Sequence, residues 1–114
     1  MRFFRCQFKE TKRILPPKLR KESDKSYKED KEDVVYLTCD FETAVVLGNF
    51  LGKYRREKGN KFYVYEFEID TEDSNLIKRT NAEFWYQGEI TRFKLNVKEV
   101  EFDKTVQIKE IILF

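Results

Sequence analysis

An α+β fold is what this sequence predicts, with one main helix packed on a mostly antiparallel sheet of about six strands. Three observations point to it. Short runs of aromatic and β-branched residues recur along the chain, each bounded by polar residues. Only residues 41–58 combine helical spacing with a capping residue before it and a glycine after it. The 114 residues suffice for a single core and not for two, so 1–114 reads as one domain.

The elements follow in order. Residues 2–8, Arg-Phe-Phe-Arg-Cys-Gln-Phe, form a strand whose alternation puts Phe4, Cys6 and Phe8 on one face and Phe3, Arg5 and Gln7 on the other. Residues 9–32 are dominated by Lys, Glu and Asp, as expected of a charged loop or a short solvated helix, and Pro16-Pro17 stops any helix running through it. Val34 to Cys39 is a second, apolar strand. Asp40 then caps a helix, with Glu42 in the first turn to complement its dipole. Ala44, Leu47, Leu51 and Tyr54 recur at helical spacing, Gly48 allows close approach to a neighbour, and Gly59-Asn60 ends the helix. Residues 61–69 make a third strand. Asp70 to Thr80 reads as a polar connection to the strand around Glu83. Leu95–Phe102 and Thr105–Leu113 read as a final strand pair turning at Asp103-Lys104.

Composition narrows the chemistry. With 23 basic and 21 acidic residues the net charge is +2, which gives no strong electrostatic case for nucleic acid. The chain has no histidine, so Ser-His and Cys-His nucleophiles are excluded. Cys6 and Cys39 lack CxxC spacing and histidine company, which argues against a metal site and for reduced, mostly buried thiols. No apolar run is long enough to span a membrane and no signal-peptide pattern opens the chain; a cytoplasmic location is expected.

The stretch Ala82-Glu83-Phe84-Trp85-Tyr86-Gln87-Gly88-Glu89-Ile90 sets a carboxylate among aromatics, and such a carboxylate is costly to bury without partners. Arg5, Tyr36 and Thr38 are the other candidates. Each has a plain reading: Arg5 as a surface ion-pair residue, Tyr36 as a core aromatic, Glu83 pointing to solvent beside Lys78 or Arg79.

Together these residues resemble the ADP-ribosyltransferase superfamily. The resemblance rests on an Arg-bearing first strand, the Tyr36-Leu37-Thr38 strand running into an Ala-containing helix, and Glu83-x-x-x-x-Gly88-x-Ile90. It covers roughly residues 1–8 and 33–100 and implies NAD as substrate. By this resemblance Arg5 would hold a ribose or phosphate of NAD, Tyr36 would stack on nicotinamide, Thr38 would stand near the serine or threonine of the Arg-Ser-Glu branch, and Glu83 would be the catalytic glutamate. Arg5 stands where tyrosine-type members carry His, and Asn81 where arginine-modifying members carry a second Glu. The implied function is a glycosyltransferase reaction that moves ADP-ribose to a macromolecular acceptor, protein or nucleic acid, without metal or membrane. The alternative is a non-catalytic protein-binding module on a similar α+β fold. The enzyme reading further expects Arg5, Tyr36 and Glu83 to line one pocket.

Overall fold

A computed structural model describes residues 1–11, 13–16, 34–54, 57–90 and 96–103. Aromatic and β-branched runs become strands β1 (Arg2–Gln7), β2 (Val35–Thr38), β3 (Lys61–Glu68), β4 (Leu76–Lys78), β5 (Glu83–Tyr86) and β6 (Asn96–Glu101), with one helix, α1 (Phe41–Tyr54). They form one antiparallel sheet in the order β4-β5-β2-β1-β3-β6. Among the described residues the α+β class, with one helix on an antiparallel sheet of six strands, is as the sequence predicts, although β4 arises within the expected polar connection Asp70–Thr80. Thr105–Leu113 and most of the charged segment 9–32 lie outside the described residues.

The pairing divides the sheet into two halves. β1 pairs with β3 from Arg2↔Glu68 to Gln7↔Tyr63, and β2 pairs with β5 from Val35↔Tyr86 to Thr38↔Glu83. Between the halves, β1 and β2 share only Phe4↔Thr38. That seam is where the candidate residues meet.

Alternation gives each face its own core. On one face Phe3, Val35, Leu37, Tyr65, Phe67 and Phe84 pack together, closed over by Ile14, Ile69 and Ile90. Ile14 and Ile90 exchange two backbone hydrogen bonds of 2.9 Å and are both buried. On the other face Phe4, Cys6, Phe8, Phe62 and Val64 pack against α1. The expected division of β1 into a Phe4–Cys6 face and a Phe3–Arg5 face is what the fold uses. Full burial of a side chain such as Phe3 or Phe62 is worth about 1.5–3 kcal/mol each.

The helix begins where the sequence says. Asp40 accepts the Glu42 N–H at 3.2 Å and the Thr43 hydroxyl at 3.1 Å. Its buried stripe is another matter. Ala44, Gly48 and Gly52 face the sheet with Asn49, whereas Leu47 and Leu51 are half-buried and Tyr54 is 67% exposed. The expected Leu-and-Tyr stripe is thus corrected. The sheet already fills the gap with the Phe62 and Phe102 rings, which lie directly over Gly48 and Gly52, so only small residues fit. Asn49 is satisfied by donating to Val45 O at 3.2 Å and accepting from the Asp103 N–H at 2.7 Å. The helix is described to Tyr54; Glu57 and Lys58 lie outside it, short of the expected end at residue 58, and Gly59 takes φ +110° in the turn that follows.

Two tyrosines tie loops to the sheet. The Tyr86 hydroxyl donates to Asp73 Oδ2 at 2.8 Å, and Tyr65 Oη accepts the Thr11 N–H at 2.8 Å. Burial pushes both phenols above the usual tyrosine value, and for Tyr86 the bond to Asp73 adds to it. The native state therefore keeps protons that the unfolded chain releases near pH 10, so stability is full below that pH and falls as pH rises through the native values. The urea midpoint should be lower at pH 11 than at pH 8, with a smaller drop in Tyr86→Phe; equal midpoints would contradict this.

Candidate functional site

Cross-strand partners project to the same face, so register alone locates the candidates. Thr38 lies opposite Glu83, and Tyr36 opposite Trp85. Ile77 is opposite Trp85 on the far side. Tyr36, Thr38, Glu83, Trp85 and Ile77 thus share one face. Diagonal neighbours such as Tyr36 and Glu83 stand about 7–8 Å apart, within reach of a common small group.

The turn before β5 fixes Glu83. Its N–H donates to Thr80 Oγ1 at 2.9 Å, and its carbonyl accepts from Arg79 and Thr80 at 3.0 Å each. Its side chain is exposed while Phe84 is buried. This answers the question the sequence raised: alternation sends the aromatic inward and the carboxylate outward, so no burial cost arises. Thr38 Oγ1 lies 3.2 Å from the carbonyl of Asp40 and 3.4 Å from that of Phe4, its single proton shared between them. The Tyr36 and Trp85 rings lie 5.7 Å apart at 56°, and the Arg79 guanidinium sits 4.2 Å above the Trp85 ring. Among the described residues Trp85 Nε1 is buried without a hydrogen-bond partner.

Arg5 is elsewhere. It lies opposite Tyr65, on the Phe3 face, because the single pair Phe4↔Thr38 aligns residue 4 and not residue 5 with the Tyr36–Glu83 face. The expectation that Arg5, Tyr36 and Glu83 line one pocket is therefore corrected: two of them share a face and the third points away. The Arg5 guanidinium instead crosses the seam. Nη1 donates to the carbonyl of Tyr36 at 2.9 Å, and Nε to Gln7 Oε1 at 3.0 Å. Where the two strands diverge past their one shared pair, this side chain supplies a donor that the backbone ladder no longer offers. Losing a charged donor to a part-buried carbonyl typically costs about 1.5–3 kcal/mol. Arg5→Met should therefore lower unfolding stability by about that amount. An unchanged urea midpoint would show that the seam does not depend on it.

The cysteines take opposite faces, Cys6 against α1 and Cys39 beside the Phe3–Leu37 core. Neither is in a disulfide, and both are half-buried, less enclosed than expected. Burial pushes the Cys39 thiol upward, with Lys78 opposing the shift.

Among the described residues no three His, Cys, Asp or Glu side chains cluster to hold a metal ion, and no described helix is long and apolar enough to cross a membrane. Arg79 and Ile77 completed this face without a clear sequence signal. β4 has only three residues, too few for a period-two pattern, and so reads as part of a polar connection. The chain matches no protein-family pattern, no curated protein and no solved structure.

Proposed function

We propose that the β2–β5 face binds NAD and that the domain transfers ADP-ribose to a macromolecular acceptor, with Glu83 as the catalytic carboxylate. The observation that carries the reading is the cross-strand placement of Thr38 against Glu83, with Tyr36 diagonal to Glu83 on the same face. Tyr36 offers a ring on which nicotinamide can stack, backed by Trp85 at 5.7 Å. In this chemistry the nicotinamide–ribose C–N bond breaks with its electron pair leaving on nicotinamide, and positive charge develops across C1′ and the ring oxygen. The exposed Glu83 carboxylate would stabilise that charge and orient the ribose 2′-hydroxyl. An acceptor nucleophile then bonds to C1′ and releases its proton to solvent or to a carboxylate. Arg79, whose guanidinium lies over the Trp85 ring, is a cation beside this part of the face, and a guanidinium is suited to a phosphate.

The second reading is a non-catalytic protein-binding module. Arg5, engaged across the seam on the other face, favours it, because the assigned phosphate contact is then missing. Calorimetric titration with NAD, together with release of free nicotinamide, separates the two. Saturable binding with nicotinamide release supports transfer; neither in the intact chain supports the module.

A further inference from the structure

Ala44, Gly48 and Gly52 point at the sheet and so fix which way the rest of α1 looks. At about 100° per residue, the opposite side of the helix carries Glu42, Val46, Phe50 and Lys53, flanked by Leu47 and Tyr54. The outward side of a helix is ordinarily polar. Here 39% of the chain is charged, yet Thr43–Gly52 contains no charged residue. Among the described residues Val46, Leu47, Phe50 and Tyr54 belong to neither of the two cores. Val46, Leu47 and Phe50 are half-buried and Tyr54 is largely exposed. The Phe50 and Tyr54 rings stack 6.0 Å apart at 26°, which carries the apolar strip into the last turn. A contiguous apolar strip of this kind is an interaction surface.

We propose that this side of α1 is the interface of a homodimer in which the two helices pack antiparallel. Charge selects the occupant. The strip ends in Glu42 near the helix start and in Lys53 near its finish. These two lie about three turns apart, on the order of 16 Å, and close to one line along the helix. An isologous contact turns the second copy end for end. Val46 of each copy then lies against Phe50 of the other, and Glu42 meets Lys53 at both ends. A parallel arrangement would instead set Glu42 against Glu42 and Lys53 against Lys53. Antiparallel packing also opposes the two helix dipoles, which favours it further. Lys53 brings three donors, so it can serve Glu42 of the second copy beside the interaction it makes within its own chain.

Size sets the strength. A helix of 14 residues is about 21 Å long, and one such strip buries less than the roughly 1,200 Å² of total surface below which interfaces are transient. The dimer is therefore reversible, with a dissociation constant in the range of about 10–100 μM.

Sedimentation equilibrium of the intact protein, from about 10 μM to about 1 mM, reads that constant. Association that rises with concentration is expected. Phe50→Lys should weaken it at least about thirtyfold while the far-UV circular dichroism stays that of the folded chain. Glu42→Lys and Lys53→Glu should each weaken it about tenfold, because symmetry sets like charges together at both ends. An equimolar mixture of these two variants should associate as the parent does, since each presents the charge that the other lacks. A parent protein that is still monomeric at about 1 mM would overturn the proposal. So would a dimer that survives Phe50→Lys, or a mixture no stronger than either variant alone. A monomer that sediments with phosphatidylcholine vesicles would overturn it in favour of a lipid surface.

Discussion

Glu83→Gln is expected to lower NAD glycohydrolysis or ADP-ribose transfer by about 10²–10³-fold, or about 3–4 kcal/mol of transition-state stabilisation, while NAD affinity changes little. Glutamine keeps the shape of the side chain and one acceptor oxygen but loses the charge that opposes the oxocarbenium ion. The side chain is exposed and its backbone is held by Thr80 and Arg79, so folding should change by no more than about 0.5 kcal/mol. A loss of turnover therefore cannot be blamed on unfolding. Steady-state turnover and calorimetric NAD affinity, measured on both proteins, decide it: equal turnover in the variant would sink the catalytic role of Glu83.

Gly48→Ala should be the most damaging single-methyl change on α1. The new Cβ would overlap the ring of Phe62, a residue with no exposed surface and therefore no room to move. Overpacking of this kind costs about 1–3 kcal/mol. It outweighs the gain from replacing glycine within a helix, about 1 kcal/mol. A net loss of 1 kcal/mol lowers the melting temperature by about 4–8 °C in a domain near this size. Lys53→Ala, at an exposed position of the same helix, should stay within about 0.5 kcal/mol of the parent. Thermal melts of both variants test the claim, and a Gly48→Ala protein as stable as the parent would refute the close approach of α1 to the sheet.

Local pattern carried the fold a long way. Alternation in β1 assigned Phe4, Cys6 and Phe8 to one face, and Asp40 announced the helix start by its capping chemistry. The stripe on α1 was misread because hydropathy periodicity registers bulk and not room. Leu47 and Leu51 are the larger residues, but the space over the sheet is already taken by Phe62 and Phe102, which are remote in sequence. The candidate site was half legible for a related reason. Tyr36, Thr38 and Glu83 sit on two strands that pair along their full length, so parity within each strand is enough to bring them together. Arg5 belongs to a strand joined to β2 at one residue pair, and a shift of one residue there reverses its face. That register is set by long-range packing and has no local signature.

The strand order has a consequence for synthesis on the ribosome. β1 precedes the other described strands in the chain, yet it lies inside the sheet, between β2 and β3. Its pairing with β3 joins residues as far apart as Arg2 and Glu68. Until the ribosome has released β3, the Arg2–Gln7 segment keeps one edge open along its whole length, and its other edge meets β2 at the single pair Phe4↔Thr38. Chains with such late closure fold slowly and are vulnerable to association while they wait. A nascent-chain series should therefore gain protease resistance abruptly once β3 clears the exit tunnel, and not in proportion to length.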